Sequence, residues 1–292
     1  MDQLAGLFIP LITPFTEHGE VAAEALERLA HRVLDDGAAG LVALGTTAES
    51  ATLTDFERAE VLTICSRVCR QRGAALIAGT GTNDTARTAA ELRALAQYPD
   101  VRAALVLVPY YTRPGEAGVI EHFRALAGNA PVPLIIYNIP HRTGQQLSWG
   151  ALARLAEIPG VAGIKQATGA LDLDTIDMMA SRPAGFSVLG GDDPVISPLL
   201  ALGAEGAISA SAHVCTAEFA RLVSLWRDAR AVDGRELGHR LASLSRALFA
   251  EPNPVVIKSV LHRMGQIPSA AVRLPLLPAN LESTEQALRL VV

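Results

Sequence analysis

The chain has 292 residues, of which 50% are hydrophobic and 19% are charged, and its formal net charge is −5. This composition is typical of a well-packed globular protein and excludes a disordered or fibrous chain. The mild acidic balance argues against a nucleic-acid partner, which would need a broad basic surface. The first residues lack a secretory signal, and no apolar run reaches the ~20 residues that cross a bilayer. We therefore expect a cytoplasmic protein with no membrane partner.

Eight short apolar runs follow one another along the chain. They are dominated by Val, Ile, Leu and Ala with little polar alternation, which is typical of parallel strands covered on both faces. The runs occupy residues 6–14, 39–45, 74–80, 103–110, 133–139, 161–165, 186–190 and 205–209. Amphipathic stretches between the runs predict helices, for example at 21–34, 54–70, 85–97 and 147–158. Thr54, followed three residues later by Glu57, predicts a capping box at the start of the second helix.

Eight strand–helix units with a mean repeat of about 29 residues predict an α/β fold, namely a closed (β/α)8 TIM barrel with a C-terminal helical extension. An open doubly wound sheet is the alternative, but segment 79–84 lacks the third glycine of its phosphate-binding motif. We expect residues 1–231 to form the catalytic barrel and residues 232–292 the extension. Helices are predicted in the extension at 234–249, 254–264 and 280–290, with a role in packing or oligomerisation.

The basic residues are divided very unevenly between the two types. Among 25 basic side chains only Lys165 and Lys258 are lysines, so the other 23 are arginines. Because arginine serves almost wherever a surface cation suffices, a lysine within the sixth apolar run indicates a need for an amine, which a guanidinium cannot replace as a nucleophile. The alternative for Lys165 is a structural pair with a carboxylate. For Lys258, in the helical tail, we expect a solvated or packing role.

Reactive side chains gather at the predicted strand ends, where the active site of a (β/α)8 barrel lies. A neutral lysine amine can attack a carbonyl to form an imine, which then acts as an electron sink for enamine chemistry. Since a free lysine amine is almost fully protonated at pH 7, such a site has to favour the neutral form. Tyr137, one strand away, is the candidate acid/base, and Thr46 with Tyr110 or Tyr111 can relay protons. Packing at the rim is the alternative role for the tyrosines.

Arg142 follows the fifth predicted strand and lies between Pro140 and Gly144. An arginine fixed in this way can hold a carboxylate through two hydrogen bonds, and a surface ion pair is the alternative. The cysteines and histidines show no metal-binding motif, so we expect no metal and no cofactor beyond a covalent imine. Together these features predict a Schiff-base lyase or synthase that acts on 2-oxo acids.

Five motifs fall in the order and spacing of one family, and the resemblance runs from Gly6 to segment 251–254. The chain resembles the dihydrodipicolinate synthase family, within the pyruvate-dependent class I aldolase superfamily that includes N-acetylneuraminate lyase. The motifs are Gly45-Thr46-Thr47-x-Glu49-Ser50, Pro109-Tyr110-Tyr111, Tyr137-Asn138-x-Pro140-x-Arg142-Thr143-Gly144, Gly163-Ile164-Lys165 and Gly191-Asp192-Asp193.

The resemblance implies that Lys165 forms an imine with pyruvate, while Tyr137, Thr46 and Tyr111 form the proton relay. In the family the tyrosine at the position of Tyr111 reaches across from a neighbouring subunit. The minimal active unit would then be a dimer, and the expected state is a homotetramer built as a dimer of dimers.

The resemblance also implies the substrate-binding residues. Thr47 and the backbone of Ile208 would bind the pyruvate carboxylate and shape the pocket, with Gly191 as a further binding residue. Arg142 would hold the carboxylate of the second substrate, L-aspartate 4-semialdehyde. The product would be 4-hydroxy-tetrahydrodipicolinate, in lysine and diaminopimelate biosynthesis.

Two departures from the family pattern keep alternatives open. Ala48 stands where the family usually has glycine, and one added methyl group could tighten the pocket. A pyruvate-dependent aldolase or dehydratase of a 2-keto-3-deoxy sugar acid therefore remains an alternative, as does a catalytically silent barrel that acts in binding. The second departure concerns the effector cleft, because Asp55, Arg58 and Arg87 occupy positions of the lysine-binding histidines and glutamate in feedback-inhibited relatives. We expect weak or absent inhibition by lysine.

Overall fold

The computed structural model describes residues 4–291. Eight parallel strands form a closed barrel in which each strand pairs with the next and the last pairs with the first. The predicted (β/α)8 barrel is thus confirmed. The strands are β1 (Gly6–Pro10), β2 (Gly40–Ala43), β3 (Ala75–Thr80), β4 (Val101–Leu107), β5 (Leu134–Asn138), β6 (Val161–Gln166), β7 (Ser187–Gly190) and β8 (Gly206–Ile208).

Helices cover the outside of the barrel, and three further helices form the C-terminal extension. The barrel helices are α1 (Ala23–Asp35), α2 (Asp55–Arg72), α3 (Thr85–Ala94), α4 (Glu116–Ala127), α5 (Pro140–Thr143), α6 (Trp149–Ala156), α7 (Leu173–Ser181), α8 (Ile196–Ala201) and α9 (Thr216–Arg227). The extension contains α10 (Ala231–Leu248), α11 (Val255–Arg263) and α12 (Leu281–Leu288). No helix within residues 4–291 is long and apolar enough to cross a membrane.

The capping box predicted at the start of α2 is present. The Glu57 amide donates to the Thr54 hydroxyl over 3.3 Å, and the Thr54 amide donates to the Glu57 carboxylate over 2.8 Å. Strand β2 is shorter than predicted because Leu44 adopts a left-handed φ of 57°, which turns the chain out of the sheet. The turn that follows β2 is therefore set by backbone conformation rather than by the apolar run.

The core has two parts that the strands separate. The larger part lies between the strands and the surrounding helices, and the smaller part fills the interior of the barrel. Interior side chains include Phe8, Val42, Ile77, Leu105, Ile135 and Ile208. Because these apolar side chains fill the barrel, polar chemistry is confined to its C-terminal mouth.

Candidate active site

Lys165 and Tyr137 lie side by side in the wall of the barrel because they are paired in the register of β6 and β5. The Lys165 amine is 4.2 Å from the centre of the Tyr137 ring, and the two side chains are 6% and 7% exposed. Within residues 4–291, Lys258 forms an ion pair with a carboxylate and Lys165 does not. In the described part of the chain no carboxylate is in direct ion-pair contact with Lys165, which argues against a purely structural pair as its role.

Gly191 lies directly behind the Lys165 side chain. A Cβ atom at this position would be 2.8 Å from both Cγ and Cε of Lys165, closer than carbon atoms pack. The absence of a side chain at Gly191 thus makes room for the stem of the lysine. The resemblance implied a substrate-binding role for Gly191, and the structure places it against the Lys165 side chain.

Asp193 is a buried carboxylate just beyond Gly191, and the sequence assigned it no role. The Ser211 amide donates to it over 2.5 Å. Burial raises the pKa of the Asp193 carboxyl, while the Ser211 hydrogen bond and the charge of Lys165 oppose that rise. A buried carboxyl group thus lies close enough to Lys165 for the two to interact electrostatically.

Thr46 and Thr47 lie in one short turn after β2, the 3-10 turn Thr46–Ala48. The turn is flanked by Leu44 and Glu49, which both adopt left-handed backbone angles, with φ of 57° and 53°. Such angles cost non-glycine residues free energy and persist only where the surroundings fix them. The two threonines are therefore held in place by contacts outside the turn itself.

Ala48 does not line the cavity that opens at the C-terminal ends of the strands. Its side chain is 1% exposed, its φ is not in the left-handed region, and it is absent from the residues that line the cavity. The extra methyl group is therefore accommodated in the protein interior, where the Ala48 carbonyl accepts a 2.8 Å hydrogen bond from the Thr13 hydroxyl. The expectation that Ala48 tightens the pocket is not supported by this geometry.

A cavity of about 790 Å³ opens at the C-terminal ends of the strands. Its walls include the candidate relay and carboxylate-binding residues Thr46, Tyr110, Tyr137 and Arg142. Another cavity, of about 760 Å³, lies at the opposite end of the barrel and has none of the predicted site residues in its walls. Lys165 is not itself in the walls of the first cavity, but its amine lies against the ring of Tyr137, which is.

Arg142 lies in the short helix α5, which begins at Pro140 and ends at Thr143, directly before the left-handed Gly144 with its φ of 72°. Its side chain is exposed and borders the cavity, as expected for a residue that binds a carboxylate. Ile208 is the last residue of β8 and is fully buried in the barrel interior. Its side chain contributes packing, which leaves the backbone as its means of contacting a substrate.

Within a single chain, Tyr111 is not among the residues that line the cavity. Its side chain is 86% exposed, and its φ of 68° is left-handed. Arg113, two residues later, is also left-handed with a φ of 45°. A strained backbone that turns a large aromatic side chain out into solvent indicates a function beyond the chain's own core.

The C-terminal extension supplies contacts that sequence reasoning missed. The Lys258 amine on α11 lies 2.7 Å from a Glu49 carboxylate oxygen, and both side chains are essentially inaccessible, at 0% and 1%. The backbone amide of Arg273 donates to the other Glu49 oxygen over 2.9 Å. The solvated role expected for Lys258 is therefore wrong, and the packing role takes the form of a buried ion pair. The surplus of arginine over lysine was the one sequence signal that marked this residue.

Further hydrogen bonds join the extension to the barrel. The Asn253 amide donates to the Thr47 hydroxyl over 2.9 Å. The Arg273 guanidinium donates to the Thr52 carbonyl over 2.8 Å and to Glu57 over 2.9 Å, and its hydrogen bond lowers the pKa of the Glu57 carboxyl to about 2. The extension thus contacts both ends of the segment between β2 and α2.

No group of three or more potential metal-binding side chains occurs among residues 4–291. The site consists of one lysine amine beside a tyrosine, below a cavity bordered by threonine and arginine side chains. Fold and site together define a (β/α)8 barrel with a single buried lysine amine beside a tyrosine on adjacent strands.

Comparison with known proteins identifies the family. Residues 3–291 match the family model described as the Dihydrodipicolinate synthetase family, and the chain belongs to that family. The resemblance inferred from the motifs is confirmed, and the protein is an enzyme of the lyase class.

Individual relatives match over nearly their whole length. The chain is 40% identical to 4-hydroxy-tetrahydrodipicolinate synthase of Nitratidesulfovibrio vulgaris, over 94% of this chain and 93% of the relative. The solved structure of 4-hydroxy-tetrahydrodipicolinate synthase from Methylacidiphilum fumariolicum SolV superimposes with a TM-score of 0.93 at 32% identity, covering 99% of this chain and 95% of that one. Dihydrodipicolinate synthase from Acinetobacter baumannii, solved in complex with pyruvate, gives a TM-score of 0.93 at 34% identity, with coverage of 98% and 97%.

The contact between Gly191 and Lys165 leads to a prediction. In Gly191→Ala the new methyl group would displace the lysine stem, so we expect borohydride trapping of a pyruvate imine to slow at least tenfold. Gly190→Ala is the matched control, because its Cβ would approach the Ile196 and Leu199 side chains at 3.3 and 3.4 Å rather than the lysine. Equal trapping rates for the two variants, measured by mass spectrometry, would contradict the role given to Gly191.

Proposed function

We propose that the protein condenses pyruvate with L-aspartate 4-semialdehyde to form 4-hydroxy-tetrahydrodipicolinate, a step of lysine and diaminopimelate biosynthesis. The observation that carries this proposal is the position of Lys165 beside Tyr137, below a cavity that Arg142 borders. The names of the relatives support the same reaction. On this proposal residues 1–231 form the catalytic barrel, and residues 232–292 support it from outside.

Lys165 begins the reaction by attacking the ketone carbon of pyruvate. The carbinolamine loses water to give an imine, and removal of a methyl proton converts the imine to an enamine. The enamine carbon attacks the aldehyde of the second substrate. The amino group of that substrate then adds to the imine carbon, which closes the ring and releases the Lys165 amine. The sequence of steps needs no oxidant, metal or other cofactor.

Proton transfer in this scheme falls to hydroxyl groups. Tyr137, whose ring lies 4.2 Å from the reacting amine, is the acid/base, and Thr46, which lines the same cavity, continues the relay. Thr47 and the backbone of Ile208 bind the pyruvate carboxylate, and Gly191 leaves room for the lysine. Protons that leave the amine and the methyl group can thus return to the carbinolamine hydroxyl and to the aldehyde oxygen.

Borohydride trapping tests the imine. We expect reduction in the presence of pyruvate to give a covalent adduct at Lys165, and no adduct in Lys165→Arg or without pyruvate. Peptide mass spectrometry is unambiguous here, because the sequence contains only one other lysine, Lys258, which is buried in an ion pair. Wild-type protein that forms no adduct would overturn every Schiff-base mechanism and favour the catalytically silent barrel.

A coupled assay identifies the second substrate. With pyruvate, L-aspartate 4-semialdehyde and the downstream reductase, we expect turnover, and Arg142→Leu should raise the KM for the semialdehyde about tenfold or more because a charge-assisted bidentate contact is lost. Pyruvate trapping should be unchanged in this variant. Turnover of a 2-keto-3-deoxy sugar acid but not of the semialdehyde would favour the aldolase alternative, for which Ala48 was the sequence feature.

We further propose that the active form is a homotetramer, a dimer of dimers, in which Tyr111 completes the proton relay of a neighbouring subunit. The 86% exposure of Tyr111 on a left-handed backbone supports a position at an interface. Exposed apolar residues elsewhere, such as Leu173 at 79%, supply further surface for association. Sedimentation analysis should show a tetramer, and full activity in a monomer would contradict this assignment.

A cytoplasmic location fits three free cysteines and small-molecule substrates.

Lysine should inhibit this enzyme weakly or not at all. Asp55, Arg58 and Arg87 border the cavity, where the ammonium of lysine would meet two guanidinium groups. Arg58 donates to the Ser50 carbonyl over 3.1 Å, and Arg87 lies 3.7 Å from Glu91. A rate measurement over increasing lysine concentration checks this expectation. Clear inhibition at low millimolar lysine would refute it.

A further inference from the structure

Asn253 occupies an unusual position for a residue of the C-terminal extension. It lies between α10 and α11, yet it lines the substrate cavity, together with Thr46 from the turn after β2. Its amide nitrogen donates to the Thr47 hydroxyl oxygen over 2.9 Å. Its other polar atom, Oδ1, is buried and finds no donor among residues 4–291. Thr47 is therefore the side chain's one hydrogen-bond partner in the described structure.

This hydrogen bond fixes the role of the Thr47 hydroxyl. A hydroxyl group has one proton to donate and two lone pairs that can accept. With one lone pair occupied by the Asn253 amide, the hydroxyl proton remains available for another acceptor. The carboxylate of pyruvate is an acceptor of the right charge, and a hydrogen bond to it would be charge-assisted.

The rest of the turn is anchored from the same side. Glu49 directly follows the turn. Its carboxylate accepts hydrogen bonds from the Lys258 amine at 2.7 Å and from the backbone amide of Arg273 at 2.9 Å. The Glu49 amide in turn donates to the Thr46 carbonyl over 3.2 Å. The Thr47 hydroxyl and the backbone of the Thr46–Ala48 turn are thus both held by residues of the extension.

We propose that Asn253 is a positioning residue for pyruvate, which keeps the Thr47 hydroxyl oriented as a donor to the substrate carboxylate while Lys258 and Arg273 hold the turn through Glu49. The inference rests on the proposed function, since it assumes that pyruvate binds at Thr47. It assigns the extension a part in substrate affinity in addition to packing.

Asn253→Ala removes the donor to Thr47, so we expect the KM for pyruvate to rise about five- to tenfold. The KM for the second substrate should stay within twofold. Asn280→Ala is the matched control, because Asn280 caps α12 in the same extension and its side chain accepts from the Ser283 amide, without contact to the turn. If Asn280→Ala changes the pyruvate KM as much as Asn253→Ala does, the effect is one of general stability and the proposal fails.

A second variant tests the direction of the hydrogen bond. Asn253→Asp presents only acceptors, so the Thr47 proton would turn towards position 253, and the added charge would repel the substrate carboxylate. We expect a larger loss of pyruvate affinity than in the alanine variant. Wild-type affinity in Asn253→Asp would mean that Thr47 donates to residue 253, and it would overturn the proposal.

A double-mutant cycle shows whether the effect passes through Thr47. In a Thr47→Val background the hydroxyl is gone, so Asn253→Ala should change the pyruvate KM less than twofold. Independent, multiplying effects would overturn the proposal. Borohydride trapping by the wild-type protein accompanies the cycle. If the wild-type protein forms no adduct, the proposed function itself fails. If it forms the adduct but the Asn253 variants keep the wild-type KM for pyruvate, only the positioning role is rejected.

Discussion

The ion pair between Glu49 and Lys258 is the constraint on which the geometry of the active site depends. It joins the turn after β2 to a helix 209 positions later in the chain, entirely within the protein. Removing two charges from water costs several kcal/mol per ion, so such a pair is stable only when further contacts satisfy it. Here the Arg273 amide and the face of the Phe15 ring, 4.0 Å from the lysine nitrogen, supply those contacts. Burial lowers the pKa of Lys258, and the charge of Glu49 opposes that shift.

The two lysines of the chain illustrate two different uses of a compact amine. Lys165 lies at the mouth of the barrel beside Tyr137, where a guanidinium could not act as a nucleophile. Lys258 fits between Glu49 and one face of Phe15, while the Arg273 guanidinium lies 4.4 Å from the same ring. A point-like ammonium can be satisfied in that space by one carboxylate oxygen and an aromatic ring. In both places arginine would have the right charge and the wrong shape or chemistry.

Most of the fold could be predicted from the sequence, because apolar runs and helical periods are local signals. The capping box at Thr54 and the pairing of Tyr137 with Lys165 follow from short spacings and from the rule that neighbouring strands end together. The end of β2 could not be predicted, since no glycine marks the left-handed Leu44. The contacts of Asn253 and Lys258 join positions more than 200 residues apart, and no local pattern encodes such pairs. For Lys258 only the scarcity of lysine gave a hint, and for Asn253 the only signal was that the family resemblance extends to segment 251–254.

The burial of both lysines also determines which amines of the folded protein can be modified by amine-reactive reagents. With exposures of 6% and 0%, neither side chain is presented on the outer surface, where the exposed cationic side chains are guanidinium groups. Reagents that label amines, such as activated esters and aldehydes, therefore find no lysine on the exterior of the native protein. Apart from the α-amine of the chain, the amine nearest to solvent is the one at the mouth of the barrel. Because that amine lies against Tyr137, a residue of the cavity wall, its modification is sensitive to what occupies the cavity.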